Sequence, residues 1–264
     1  MGIIEAIILG IVQGLTEFLP VSSSGHIELG KAILNIQTTD NLLFSIVVHG
    51  ATAFSTIIVF RKVIIELFKG LLQFKNNESL HYTLKIIISM IPVGIIGVLF
   101  EDKIEALFTG NVLFVGVMLI ITGILLTITF YFKNTNKDVS FGRAIIIGFA
   151  QAVAILPGIS RSGSTISTAL ILGVDKEKAT RFSFIMVLLP IIGATLLKVK
   201  DYIDTPALSG GISMAALVIG FSAAFISGLA ACTWMIKIVR KGKLIYFAYY
   251  CFAVGLISII ISLL

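Results

Sequence analysis

Residues 43–60, 82–100, 111–132, 182–197, 212–236 and 244–264 are apolar runs close to the ~20 residues a helix needs to cross a bilayer core. They leave the chain little freedom. In lipid every backbone N–H and C=O must be satisfied within the protein, so such runs form helices. The expected fold class is an all-α polytopic membrane protein. With 57% hydrophobic and 13% charged residues, a soluble domain is excluded. No long polar linker divides the chain, so residues 1–264 read as one integral-membrane domain. The net charge of +6 sits in loops and sets topology, and no basic module suits nucleic acid. Pro92 and Pro190 are expected to kink their helices. Cys232 and Cys251 lie in separate runs without metal-type spacing and read as small core or lipid-facing residues. The N-terminus reads as something other than a cleaved signal, because Glu5, Gln13 and Glu17 interrupt its apolar run.

Two further stretches are too short or too polar to cross. The first has arms at 3–19 and 26–35 and contains Gln13-Gly-Leu-Thr-Glu17-Phe-Leu-Pro20-Val-Ser22-Ser23-Ser24-Gly25-His26. Pro20 and Gly25 break it. The second covers about 141–172. Gly10-Ile-Val-Gln13 matches Gly148-Phe-Ala-Gln151, and Ser22-Ser-Ser24-Gly25 matches Ser160-Arg-Ser162-Gly163, both at an offset of 138. Loop charges orient the spans. Arg61, Lys62, Lys69, Lys75, Lys133, Lys137, Arg143, Lys176, Lys178, Arg181, Lys237, Arg240, Lys241 and Lys243 fall on one side. Only Lys31, Lys103, Lys198 and Lys200 fall on the other, so the first side is expected to be cytoplasmic. Each half, about 1–137 and 138–264, then holds three spans, and the second copy is inverted. The expectation is six full transmembrane helices plus two re-entrant helix–loop–helix elements in an inverted repeat, with the two loops facing each other near the midplane.

Each loop leads into a helix. Ser24 or Gly25 can cap one starting near His26, and Ser162 or Ser164 one starting near Thr165. Helix N-termini attract anions, and Arg161 adds a planar donor fork suited to phosphate oxygens. Gln13, Ser22, Ser24, Gly25, Ser160, Ser162, Gly163 and Thr165 are therefore candidate substrate-binding positions for a phosphate or pyrophosphate. His26 lies three residues after Ser23 and four after Ser22, so it can serve a hydroxyl nucleophile as base. Glu17 shares a helix face with Gln13. It can orient or charge-pair His26, or coordinate a divalent ion with Gln13, and oxygen ligands suit Mg²⁺ or Ca²⁺. His49 reads as a structural histidine and His81 as a solvated one. Glu5 and Glu28 read as interfacial, and Asp102 and Glu105 as loop charges.

The segments Gln13-xxx-Glu17-Phe-Leu-Pro-Val-Ser-Ser-Ser-Gly-His26 and Pro157-Gly-Ile-Ser160-Arg161-Ser162-Gly-Ser-Thr165 closely resemble the two signature regions of the undecaprenyl-diphosphate phosphatases, the bacitracin-resistance proteins. The resemblance covers the whole chain. It implies hydrolysis of undecaprenyl diphosphate to the monophosphate carrier of peptidoglycan synthesis. It further implies a bacterial plasma-membrane location with the site open to the outer face. Ser23 would be the nucleophile, His26 its acid/base partner, Glu17 a supporting group with a divalent cation, and Arg161 the diphosphate holder. The family accepts Glu or Gln at the position of Gln13. A covalent phosphoserine and direct attack by a metal-activated water both fit. Another lipid-phosphatase family uses a histidine acceptor, but no histidine follows Ser160-Arg161 here. A secondary transporter or lipid flippase is the rival from another class, since paired broken helices also build transporters. The expected partners are the polyprenyl diphosphate and membrane lipids, with no nucleic acid; the sequence leaves open the oligomeric state, a homo-oligomer included.

Overall fold

The structure, a computed structural model, describes residues 1–34, 42–100, 103–104, 106–107, 110–132, 135–204 and 212–263. Asp102 and Glu105 lie outside them. The described residues form α1 (Ile3–Phe18), α2 (Ser23–Ile33), α3 (Leu42–Val59), α4 (Arg61–Leu71), α5 (Glu78–Leu99), α6 (Val112–Phe130), α7 (Phe141–Val153), α8 (Arg161–Ile171), α9 (Lys176–Met186), α10 (Leu188–Asp204), α11 (Met214–Arg240) and α12 (Ile245–Leu263). The chain is a multi-span, all-α membrane protein.

Among the described residues five helical stretches are long and apolar enough to cross a membrane: Glu78–Leu99, Val112–Phe130, Lys176–Leu196, Met214–Arg240 and Ile245–Leu263. The sixth expected span, 43–60, is met by α3, which bends by 75° into α4. By length and composition the candidate crossings among the described residues therefore number five, or six with the bent pair taken as one. The segment after residue 60 was expected to be loop and is instead amphipathic helix. Val63, Ile64 and Leu67 of α4 pack on the main core, while Arg61, Lys62, Glu66 and Lys69 face outward. Pro92 is accommodated inside an unbroken α5. Pro190 has a sharper effect. It cannot donate a backbone N–H and its ring crowds the carbonyl four residues back, and α9 ends at that residue, Met186.

The arms of both broken stretches are short: 16 and 11 residues in α1 and α2, 13 and 11 in α7 and α8. At ~1.5 Å per residue none exceeds about 24 Å. α2 folds back along α1, where Gly30 sits against Leu9 and Leu34 packs on the cluster holding Ala6. In the second stretch the chain before α7 meets the chain after α8. Lys137 bridges Val174, and Thr135 donates to the Gly173 carbonyl.

Long helices pack across the halves. α1 lies on α11, α7 on α5, α6 on α12 and α3 on α10. Small residues permit the first two crossings. A Cβ on Gly10 would stand 2.6 Å from the Gly220 carbonyl oxygen, and one on Gly148 would stand 2.3 Å from that of Ser89.

Candidate active site

Glu17 closes the last turn of α1, one turn after Gln13. Both are buried, at 6% and 0% exposure. Three groups converge on its carboxylate. Gln13 Nε2 donates to Oε2 at 2.9 Å, Ser23 Oγ donates to the same oxygen at 2.6 Å, and Arg161 Nη2 pairs with Oε1. Arg161 is the first residue of α8, so the ion pair joins two elements 144 residues apart. A carboxylate buried at this depth is tolerable because charge and hydrogen bonds compensate it together.

Both second arms begin earlier than expected. Ser22 caps α2, accepting from the Gly25 amide at 3.3 Å, and Ser160 caps α8, accepting from the Gly163 amide at 3.0 Å. Ser24, Gly25, Ser162 and Ser164 are thus in the first turns rather than at the caps. Contrary to expectation, Gly25 does not break the helix: it and Gly163 each lie at the third helical position, where the amide feeds the cap and the missing side chain admits the opposite loop. A Cβ on Gly25 would reach 3.0 Å from the Gly158 Cα, and one on Gly163 3.4 Å from the Pro20 Cβ. Gly158 itself adopts φ +97°, which side-chain-bearing residues rarely do. Thr122 of α6 clips the second loop, accepting from the Ser160 amide and donating to the Gly158 carbonyl, each at 3.1 Å.

The hydroxyls divide into two groups. Ser162 Oγ donates to the Leu19 carbonyl at 3.1 Å, and Thr165 Oγ1 donates to the Arg161 carbonyl at 3.0 Å. Both hydroxyl protons are thus spent on backbone carbonyls, the first across to the opposite loop and the second within α8. Ser22 and Ser24 share a 3.3 Å contact, as do Ser160 and Ser162. Ser23, Ser24, His26 and Arg161 remain partly accessible above the buried Gln13 and Glu17.

His26 departs from expectation. It touches neither Ser23 nor Glu17 among the hydrogen bonds. Its Nδ1 lies 2.8 Å from the Ser22 carbonyl oxygen and its Nε2 lies 2.8 Å from the Tyr250 hydroxyl. Ser22 has φ 71°, a conformation that costs a non-glycine residue about 1–3 kcal/mol and that turns its carbonyl toward the histidine ring. The group facing Ser23 is the Glu17 carboxylate. The spacing Ser23–His26 suggested otherwise because sequence distance says nothing about where an imidazole rotates.

This arrangement sets the comparison with known proteins. The family model described as "Bacitracin resistance protein BacA" matches residues 6–257. The chain is similar to proteins named undecaprenyl-diphosphatase in Christiangramia forsetii, at 56% identity over 99% of both chains, and in Bacteroides thetaiotaomicron, at 51% over the full length of both. A more distant relative of the same name, in Methanosphaera stadtmanae, is 39% identical over 99% of both chains. The chain belongs to the BacA family. Within this BacA-family site Tyr250 is the residue that sequence reasoning missed. It stands 224 positions from His26, and nothing local marks it among the tyrosines of the last span.

One oxygen of the BacA-family site bears on a cation. Gln13 Oε1 is buried without a hydrogen-bond partner beside the Glu17 carboxylate. Among the described residues no cluster of three or more His, Cys, Asp or Glu exists. Both Glu17 oxygens are engaged by Arg161, Ser23 and Gln13, so Gln13 Oε1 is the open donor, and a hard cation there would draw most of its ligands from substrate oxygens and water.

Proposed function

We propose that this protein hydrolyses undecaprenyl diphosphate to undecaprenyl phosphate and inorganic phosphate. The observation that carries this reading is Ser23 Oγ held 2.6 Å from a carboxylate that is itself paired with Arg161. A binding or transport site needs the cation for a diphosphate but has no use for a hydroxyl aimed at a base. The curated name shared by full-length relatives supports the same reading.

In the proposed reaction Glu17 takes the Ser23 proton as Oγ attacks the terminal phosphorus. The bridging P–O bond breaks, undecaprenyl phosphate leaves, and water then hydrolyses the phosphoserine. Arg161 Nη1, buried with no protein partner, is free for a phosphate oxygen. The opening turns of α2 and α8 add N–H groups at the positive ends of two helices. His26, one turn along α2 from Ser23, exchanges a proton with the hydrolytic water. Mg²⁺ or Ca²⁺, held at Gln13 Oε1 beside Glu17, would neutralise charge on the diphosphate when bound. Positioning and charge compensation supply most of the acceleration, as in phosphoryl transfer generally.

We further assign the site to the outer face, with α1–α2 and α7–α8 as re-entrant elements of an inverted repeat in a plasma-membrane protein. The charge asymmetry of the loops supports this. The return of each second arm along its first supports it too. The buried Cys232 and Cys251 leave a quiet background for thiol labelling. An impermeant reagent is expected to label Met214→Cys in intact cells and Asn136→Cys only after lysis; both labelling in intact cells would refute the topology.

The test of function is phosphate release from undecaprenyl diphosphate by purified protein in nanodiscs. Wild type is expected to turn over and Ser23→Ala not to. Lipid translocation without phosphate release would favour the flippase reading.

A further inference from the structure

The last helix reaches the site through small residues. α12 crosses α6 where Gly116 and Gly255 face each other. A Cβ on either would stand 2.8–2.9 Å from the other's carbonyl oxygen. That crossing and the packing of Ala248 and Cys251 with Val21, Val115 and Leu119 fix the register of α12 against the first loop. The Cys251 thiol lies 3.8 Å from the Pro20 carbonyl oxygen. The residue before it, Tyr250, is thereby held over His26, with ring centroids 5.5 Å apart and planes 13° from parallel.

The hydrogen bonds around His26 then have one consistent assignment. A carbonyl only accepts, so Nδ1 carries the proton toward Ser22. In the neutral ring Nε2 is a bare lone pair, and the Tyr250 hydroxyl donates to it. When Nε2 gains a proton, the same hydroxyl can turn and accept from it. The partner is kept through both halves of a proton cycle, while the stacked ring stops the imidazole from swinging.

We propose that Tyr250 is the proton relay of His26: the Ser22 carbonyl fixes the tautomer, and the Tyr250 hydroxyl holds the ring, gives its proton to Nε2 as it takes one from the hydrolytic water, and runs the same transfer in reverse when the imidazolium discharges. This rests on the phosphatase reading above. Tyr250 acts through His26 and is not assigned any contact with the substrate.

The test uses the full-length protein in nanodiscs, labelled with ¹⁵N-histidine. The chain has three histidines, and His26→Gln identifies the His26 signals by their loss. In wild type His26 is expected to show the Nδ1–H tautomer. Tyr250→Phe keeps the ring and removes the hydroxyl. It is expected to keep the Nδ1–H tautomer, to shift the His26 Nε2 signal as its hydrogen bond is lost, and to lower kcat by about five-fold at unchanged KM, the effect of one hydrogen bond. Tyr250→Leu, which also loses the stack, should fall further. Tyr249→Phe, at an exposed neighbour, should leave spectrum and turnover alone. An Nε2–H tautomer in wild type, or a Tyr250→Phe protein with wild-type signals or wild-type kcat, overturns the proposal. Failure of the phosphatase reading is told apart by an inactive wild type, because the tautomer is read without turnover.

Discussion

The two broken elements share residues that build their loops and differ at the positions to which the chemistry is assigned. At an offset of 138, Gly10, Gln13, Ser22, Ser24 and Gly25 correspond to Gly148, Gln151, Ser160, Ser162 and Gly163. The shared positions mostly cap helices or let backbones approach. Glu17, Ser23 and His26 correspond to Ile155, Arg161 and Ser164. The proposed base, nucleophile and proton carrier come from one copy and the cation from the other. Gln151 shows what the divergence left behind. Gln13 donates to Glu17 four residues on, whereas Gln151 has Ile155 there, and both of its amide atoms are buried without a partner.

The contrast predicts a graded series. Substitutions at positions that differ between the copies should strike turnover hardest. Glu17→Gln keeps shape and removes charge, and is expected to lower kcat by about 10³-fold in phosphate release from the lipid diphosphate. Arg161→Lys keeps charge and loses the fork, and should lose about 10²-fold. Near-wild-type rates in either would take that residue out of the reaction.

Positions spent on close backbone contact should register as stability. In Gly158→Ala the new Cβ would stand 2.6 Å from the Met118 Cβ at a φ of +97°. A loss of about 2–4 kcal/mol is expected, read as a lower Tm in detergent. The smallest effect belongs to the vestigial amide. Gln151→Leu should leave turnover intact and raise stability by about 1 kcal/mol, since it removes two unsatisfied polar atoms. Gln13→Leu, by contrast, should impair turnover. Equal responses of the two glutamines would dissolve the distinction.

Much of this was legible in the sequence because membranes leave few options. Apolar runs become helices, and the arms at 3–19 and 141–172 fall within a residue or two of α1 and of the α7–α8 stretch. Glu17, Ser23 and Arg161 stood out as polar groups in an apolar chain, and they meet. The rest depended on geometry that strings do not carry. Caps fell at Ser22 and Ser160 because the following glycines serve a crossing between loops, visible only once both loops are placed. The pairing of Ser23 with Glu17 rather than His26 depends on a positive φ at Ser22 that no propensity suggests. Tyr250 reaches His26 only because Gly116 and Gly255 let two distant helices touch. The amphipathic α4 was readable from its spacing, but its basic residues drew it into the loops.

The ion pair between Glu17 and Arg161 has a consequence for how the protein is made. The counter-charge of Glu17 lies 144 residues downstream. The pair can therefore form only after the second half has been made, so the two halves must be docked before the site's central charge is compensated by its guanidinium.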